Sequence, residues 1–453
     1  LQPVVVQSFD KIHFLFQTAP DELTMESDKD RMYRFALNIV KQEVDLSISD
    51  ILFYLYDETD NANVKDVALQ YFRLSPDDVN LVLLLSEVLE EQEFLKLLEP
   101  QLTRRPVLVS CHRAYQDAIK KSGKQSELVE QYQQLLAKEP ANKDLIYLVA
   151  RLLNADDHQQ IRALLSKAVS QPEPQLQALA WLAKMELGCA NFGQSLLYYM
   201  QLKHADNDFA VHENDFYQAL LGQGDLRKAY QYIQQQAKDN SGEFSINDLQ
   251  RLAYIQKLEG DSQGYQKTWE SYRNMLKDWP ENIRNLLMES LEKEMAYVSG
   301  DTEAYCKLYE ADDDAYSKFD VFVINGNVDA AYKAIKDESF IADNFLLLYS
   351  LAKVQQKNDI ADKALQAAIK QLSESETTDE RVLAQMFAGQ LQASVETLKH
   401  MYLNTDTRLT AMTAMGLKYP SLREDSFATA QKLNFNRNYP YLTIKQILES
   451  EAK

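Results

Sequence analysis

The chain has 453 residues, 45% of them hydrophobic, and 48 basic against 68 acidic side chains give a net charge of −20. It holds only 12 Gly and 11 Pro, where average usage would give roughly 32 and 23. Sheets, tight hairpins and phosphate-binding loops use Gly freely for positive φ, so β and α/β classes are excluded, and an acidic surface disfavours a nucleic-acid partner.

The first Gly is Gly123, and Leu, Ala, Gln, Lys and Glu dominate, which makes the class all-α. No apolar run reaches the roughly 18 residues of a membrane span; Leu81 to Leu85 is the densest and is cut by Ser86 and Glu87. Cys111, Cys189 and Cys306 are far apart and lack CxxC spacing, so reduced thiols are expected rather than a disulfide framework. The chain starts at Leu1 rather than Met, which favours a periplasmic or membrane-anchored location over a cytoplasmic one.

Residues 1–45 open with the apolar strip Val4, Val5 and Val6 and continue into FDKIHFLFQ, read as an extended segment leading to a capping helix. Residues 46–400 carry a repeating mark. Gly224-Asp225, Gly260-Asp261 and Gly300-Asp301 are its clearest copies, and Ala190-Asn191 and Gly123-Lys124 fall into step. Taking the residue after each mark gives Val64, Phe94, Gln125, His158, Phe192, Leu226, Ser262, Thr302, Val328, Ile360 and Leu391, with steps near 34. The steps of 40 and 26 around Thr302 single out an irregular unit near 290–320.

Within a unit the pattern is that of two helices. Leu128, Tyr132 and Leu135 form an apolar stripe, Pro140 stops that helix, and Asn142 and Asp144 supply caps for the next. Ile161, Leu165 and Ala168 continue the stripe after the turn that follows Asn154. Residues 401–453 are read as C-terminal capping helices, the last of them after Pro440.

These units resemble tetratricopeptide repeats over residues 50–400, with degenerate copies. Ala183, Ala229 and Ala253 sit at small-residue positions, Tyr132, Tyr199, Trp269 and Tyr309 in the aromatic slot of helix B, and Pro140 in the terminal slot. Glu213, Tyr217 and Lys293 depart from the pattern. The resemblance implies a right-handed α-solenoid of about ten helix–turn–helix hairpins, with ligand contacts on the concave face lined by the A helices. By phase those positions are Lys143, Tyr147, Trp181, Lys184, Asn214, Gln218, Asn247 and Arg251. The competing reading has Trp181 and Tyr147 packing between repeats. The paired Lys/Asn clamp that some members use for acidic C-termini is not recognisable.

Catalytic motifs fail one by one. Gly188 to Ser195 (GCANFGQS) mimics a phosphate loop, but Gln194 replaces the Lys and a helix precedes it, so it is read as an A–B turn. His204, Asp206, Asp208, His212, Glu213 and Asp215 cluster in one inter-repeat loop without metal-ligand spacing. Asp57 to Asp66 and Asp312 to Asp314 fall short of a calcium loop. Cys111 and His112 are adjacent on a helix and point about 100° apart, the wrong geometry for a thiol–base pair. No cofactor, metal or catalytic residue is assigned. One positive island stands out, with Arg104, Arg105, Arg113, Lys120, Lys121 and Lys124 against Asp117; it is either a face paired with acidic neighbours or a docking spot for an anionic group.

The expectation is a non-enzymatic scaffold that binds protein or peptide partners, with an anionic glycan as a second ligand class, no nucleic acid and no membrane span. The Gln- and Tyr-rich, bacterial-looking composition motivates an alternative, an anchored or periplasmic protein assisting envelope or polysaccharide assembly. A glycan-processing enzyme on an α-solenoid is the third reading.

Overall fold

The computed structural model describes residues 62–451, apart from 122–124, 155–156, 206–211, 240–243, 278, 310–314, 336–339, 376, 436 and 438–439. Outside the described residues lie the expected N-terminal segment and capping helix at 1–45, the start of the Asp57 loop, Asp206 and Asp208, Asp312 to Asp314, Lys124 and the Lys121 side chain. The described residues form helices and their connections, with no strand among them.

The chain divides into two compact units. Unit 1 is the described part of Leu1–Leu153 together with Ser170–Gln175. It runs α1 (Ala62–Phe72), α2 (Val79–Val88), α3 (Glu91–Leu98), a 3-10 turn (Glu99–Thr103), α4 (Val109–Lys121), α5 (Gln125–Lys138) and α6 (Lys143–Ala150). Unit 2 is Asn154–Val169 together with the described part of Leu176–Lys453. Its first half is α7 (His158–Val169), α8 (Leu176–Gly188), α9 (Phe192–Ala205), α10 (Glu213–Gly222), α11 (Leu226–Asp239), α12 (Ile246–Glu259), α13 (Ser262–Met275), α14 (Glu281–Val298) and α15 (Thr302–Tyr309). Its second half is α16 (Ala315–Ile324), α17 (Val328–Ile335), α18 (Ala342–Val354), α19 (Asn358–Glu374), α20 (Thr378–Ala388), α21 (Val395–His400), α22 (Thr405–Lys418), α23 (Arg423–Leu433) and α24 (Tyr441–Glu451).

Neighbouring helices pack as pairs: α8 with α9, α12 with α13, α16 with α17 and α18 with α19, an arrangement consistent with an α-solenoid. The small residues sit at the tight contacts as expected, since Ala183, Ala229 and Ala253 are fully buried. Tyr199 and Trp269 belong to the same buried cluster in unit 2, and Tyr132 is buried within unit 1. No described helix is long and apolar enough to cross a membrane.

The repeating mark has a backbone cause. Gly224, Gly260, Gly300, Gly326 and Gly389 all have φ between 68° and 77°, and Ala190 and Gln356 take the same left-handed conformation at 58° and 59°. All but Gly224 end a helix by letting the next N–H reach back five residues, as Asp261 N does to Gln256 O at 2.9 Å and Asp301 N to Ala296 O at 3.1 Å. The acidic partner then starts the next helix: Asp225 Oδ1 accepts from Lys228 N, Asp261 Oδ1 from Gly264 N and Asp301 Oδ1 from Ala304 N, at 2.9–3.0 Å. Gln125, His158, Phe192, Leu226, Ser262, Thr302 and Val328 are each the first residue of a helix, whereas Val64, Phe94 and Ile360 fall two or three residues inside theirs.

Two departures have plain reasons. The step of 40 arises because α14 has 18 residues, where α12 has 14, and the step of 26 because α15 and α16 have only 8 and 10. Leu391 does not start a helix; after the left-handed Gly389 the chain stays irregular until Ser394 caps α21.

Two buried polar side chains of unit 1, Cys111 and His112, bond to interior partners. Cys111 Sγ donates to Pro76 O at 2.8 Å, whereas His112 Nδ1 is hydrogen-bonded to the Tyr132 hydroxyl at 2.8 Å, so the adjacent pair diverges. Burial first, and then the Asp77 carboxylate, pushes the Cys111 thiol up to about 12. Burial, followed by the Arg105 charge, pushes His112 down to about 4, and its buried Nε2 has no partner to receive a second proton.

No atom would crowd a Cβ at Gly260, so Gly260→Ala isolates the backbone cost and lowers stability by about 1 kcal/mol. Ala190→Gly shifts it the other way by less than about 1 kcal/mol, both read from chemical unfolding. His112 is held neutral, so its contribution is complete above pH 6.5 and is lost as pH falls towards about 4, where only the unfolded chain takes the proton. His112→Phe should flatten the stability–pH slope in that window by about one proton, a span on the order of 3 kcal/mol at most.

Candidate functional site

The eight positions assigned to the concave face divide between the units. In unit 1, Tyr147 is only 5% exposed and packs into the interior, and Lys143 Nζ bonds the Glu173 carbonyl at 2.8 Å. In unit 2, Asn214 and Asn247 are exposed and Gln218 is half-buried. Arg251 lies 3.6 Å from Glu213 and 5.2 Å from the centre of the Tyr217 ring. Trp181 meets Tyr402 edge to face at 6.4 Å, and Lys184 Nζ stands 4.2 Å over the same Tyr402 ring and 3.8 Å from Asp215.

Tyr402 belongs to the last part of the chain, and it does not come alone. The Phe192 ring packs edge-on against Phe435 at 5.0 Å. The Arg437 N–H donates to the Tyr254 hydroxyl at 2.7 Å, and the Leu442 N–H to the Tyr297 hydroxyl at 3.0 Å. Trp181, Lys184, Tyr254 and Tyr297 stand on α8, α12 and α14, the first helices of their hairpins. Unit 2 thus brings Tyr402, Phe435, Arg437 and Leu442 of its C-terminal part against α8, α9, α12 and α14.

A buried cation holds this closure. Arg408 of α22 is 1% exposed, and burial lowers its guanidinium to about 10. It donates to the Leu398 carbonyl at 3.4 Å and to the Met401 carbonyl, the negative end of α21. Gly188, the last residue of α8, makes room for it; a Cβ there would stand 2.5 Å from both Arg408 Cζ and the Lys399 carbonyl.

Beside that contact opens a cleft of about 490 Å³ lined by His158, Arg162, Cys189, Asn191, Glu396, Lys399 and His400. Its residues come from three places: the first turns of α7, the A–B turn after α8, and α21, which puts Glu396 and His400 one helical turn apart. The His158 and His400 rings stack at 4.6 Å with 16° between their planes. His400 Nδ1 is 2.8 Å from the Glu396 carbonyl, which fixes Nδ1 as the protonated nitrogen and leaves the lone pair on Nε2. That Nε2 faces Cys189 Sγ at 3.6 Å and Arg162 Nη2 at 3.4 Å.

Arg162 is itself clamped by the buried Glu186 carboxylate, whose other oxygen accepts from Asn191 Nδ2 at 2.8 Å. Burial first, then the Glu186 charge, pushes the Cys189 thiol up to about 11, and burial lowers His400 from the ordinary histidine value. At neutral pH the cleft therefore presents a neutral thiol and a neutral His400 imidazole.

The other sequence candidates resolve simply. Gly188 to Ser195 runs from the end of α8 through a short turn into α9, with Ala190 left-handed and Ser195 Oγ bonded to Ala183 O at 2.8 Å. The positive island of unit 1 is partly paired, since Arg105 meets Glu139, Arg104 Nη1 bonds Gln101 at 3.0 Å and Lys120 Nζ the Arg151 carbonyl at 2.8 Å. Arg113 is half-buried. Sequence reasoning missed the cleft. Only the spacing of Glu396 and His400 on one helix carried a signal, because His158 and Cys189 lie more than 200 residues away.

Gly188→Ala should lower the stability of unit 2 by about 1–3 kcal/mol by pushing Arg408 off the α21 carbonyls. Amide hydrogen exchange at residues 395–408 would rise with it, and unchanged protection there would refute the close-approach account. No family model matches the chain, and no curated protein matches it.

Proposed function

We propose that this chain is a non-enzymatic, tetratricopeptide-type scaffold: about ten hairpins wound into a right-handed solenoid whose A-helix face recognises extended polypeptide. The observation that carries the reading is the pair of main-chain hydrogen bonds given by Arg437 and Leu442 to tyrosine hydroxyls on α12 and α14. Main-chain bonding supplies affinity without demanding a sequence, and a side-chain seat such as that of Phe435 on Phe192 supplies the selectivity. The C-terminal segment is then an internal occupant of the partner site, and Trp181, Lys184 and Arg251 extend that site beyond it.

An external partner competes with a tethered segment whose effective concentration is on the order of millimolar. The test loosens the occupant and leaves the groove intact. In the full chain, Phe435→Ala with Arg437→Pro removes an anchor and a donor. A labelled peptide of residues 434–451 should bind that variant at least about fivefold more tightly than the unaltered chain, the worth of one hydrogen bond. Adding Tyr254→Phe should reverse part of the gain. Absence of saturable binding to either protein would remove the peptide-reading role.

A further inference from the structure

The cleft in unit 2 brings together donors that no stretch of sequence groups. One ligand atom each from His158, Glu396 and His400 lies within 4.8 Å of the others. Cys189 Sγ is 3.6 Å from His400 Nε2. With metal–nitrogen bonds of about 2.0–2.1 Å and metal–sulfur bonds of about 2.3 Å, tetrahedral geometry separates N and S donors by about 3.5 Å. The His400–Cys189 edge already has that length. His158 and Glu396 need closing side-chain rotations: a Glu396 carboxylate oxygen stands 3.6 Å from His400 Nδ1, and the buried Nδ1 of His158 has no hydrogen-bond partner to oppose its own movement.

Three further observations point the same way. Glu396 and His400 sit four residues apart on α21, so both face one side of the helix. His400 Nδ1 is tied to the Glu396 carbonyl, the outer bond that metal-binding histidines characteristically make. Arg162, locked to Glu186, lies at the long distance of 3.4 Å from His400 Nε2 and can yield that side of the ring while keeping its own carboxylate.

We propose that His158, Cys189, Glu396 and His400 bind one transition-metal ion of the zinc class, in a site that joins α7 and the turn after α8 to α21. Two imidazoles, a thiol and one carboxylate select a borderline to soft cation, whereas calcium and magnesium call for all-oxygen shells. Coordination displaces the Cys189 thiol proton to solvent and leaves a thiolate on the metal. The site stands apart from the peptide-reading role, because none of its four donors is among the groove positions.

The test uses the full, untagged chain stripped with a chelator and titrated with Co(II), then with Zn(II). The expected result is one equivalent bound, with the visible bands of tetrahedral Co(II) and a near-ultraviolet thiolate charge-transfer band. Cys189→Ser should abolish the charge-transfer band. His400→Gln and His158→Ala should each weaken binding at least tenfold, while the exposed His204→Ala leaves it unchanged. Melting curves of the metal-free variants check that each folds, and Zn(II) should raise the melting temperature of the unaltered chain but not of His158→Ala. Binding that never saturates near one equivalent, or that survives both His158→Ala and His400→Gln in folded protein, would overturn the proposal.

Discussion

Unit 2 is built on one backbone reversal, repeated. A helix ends in a left-handed residue, the following N–H closes five residues back, and the next side chain caps the new helix. Gly260 and Asp261 perform these two jobs in adjacent positions, so a dipeptide both stops and starts a helix. The reversal fixes the phase of each pair, and with it which side chains face the partner helix. Fully buried Ala183, Ala229 and Ala253 follow from that phase, as do Trp181 and Arg251 on the opposite side. Where helix length changes, as in the 18 residues of α14, the reversal moves but keeps its chemistry.

Such a stack would ordinarily leave the A-helix face to solvent. Here the chain returns to it. Arg408 gives a fully buried charge to the carbonyl end of α21, and Gly188 has no side chain to obstruct it. An isolated buried cation is costly, and the aligned carbonyls of a helix end offset part of that cost. Tyrosine hydroxyls on α12 and α14 then take up main-chain N–H groups that would otherwise need water.

Much of the helical grammar was legible in the sequence because it is local. Seven marks fall on the first residue of a helix, and Asn142 caps α6 by accepting from Asp144 N and Leu145 N, because capping and left-handed turns involve residues a few positions apart. Leu391 failed because Gly389 ends its helix without a capping residue directly behind it. The contacts that Trp181 and Lys184 make with Tyr402 were not legible in the sequence. Tyr402 is over 200 positions away, and nothing in a helical period records a contact at that range. The His158–His400 stack was invisible for the same reason, and Tyr147 shows that phase alone does not separate a groove aromatic from a packed one.

The return of the C-terminal segment changes how unit 2 holds and loses its structure. In a plain array each hairpin touches only its neighbours, so free energy adds along the chain and the ends fray independently. Contacts between α8 and α21, and between Tyr254 and Arg437, span most of the unit and must wait for a long loop to close. Closure trades speed for cooperativity: folding slows as contact order rises, and opening at either end releases the other. During synthesis α8 to α14 emerge long before residues 402–442 exist, so the nascent protein presents an A-helix face without its lining. The tyrosines that later clasp the tail are at that stage apolar surface open to any passing chain, which makes the order of emergence part of the structure's chemistry.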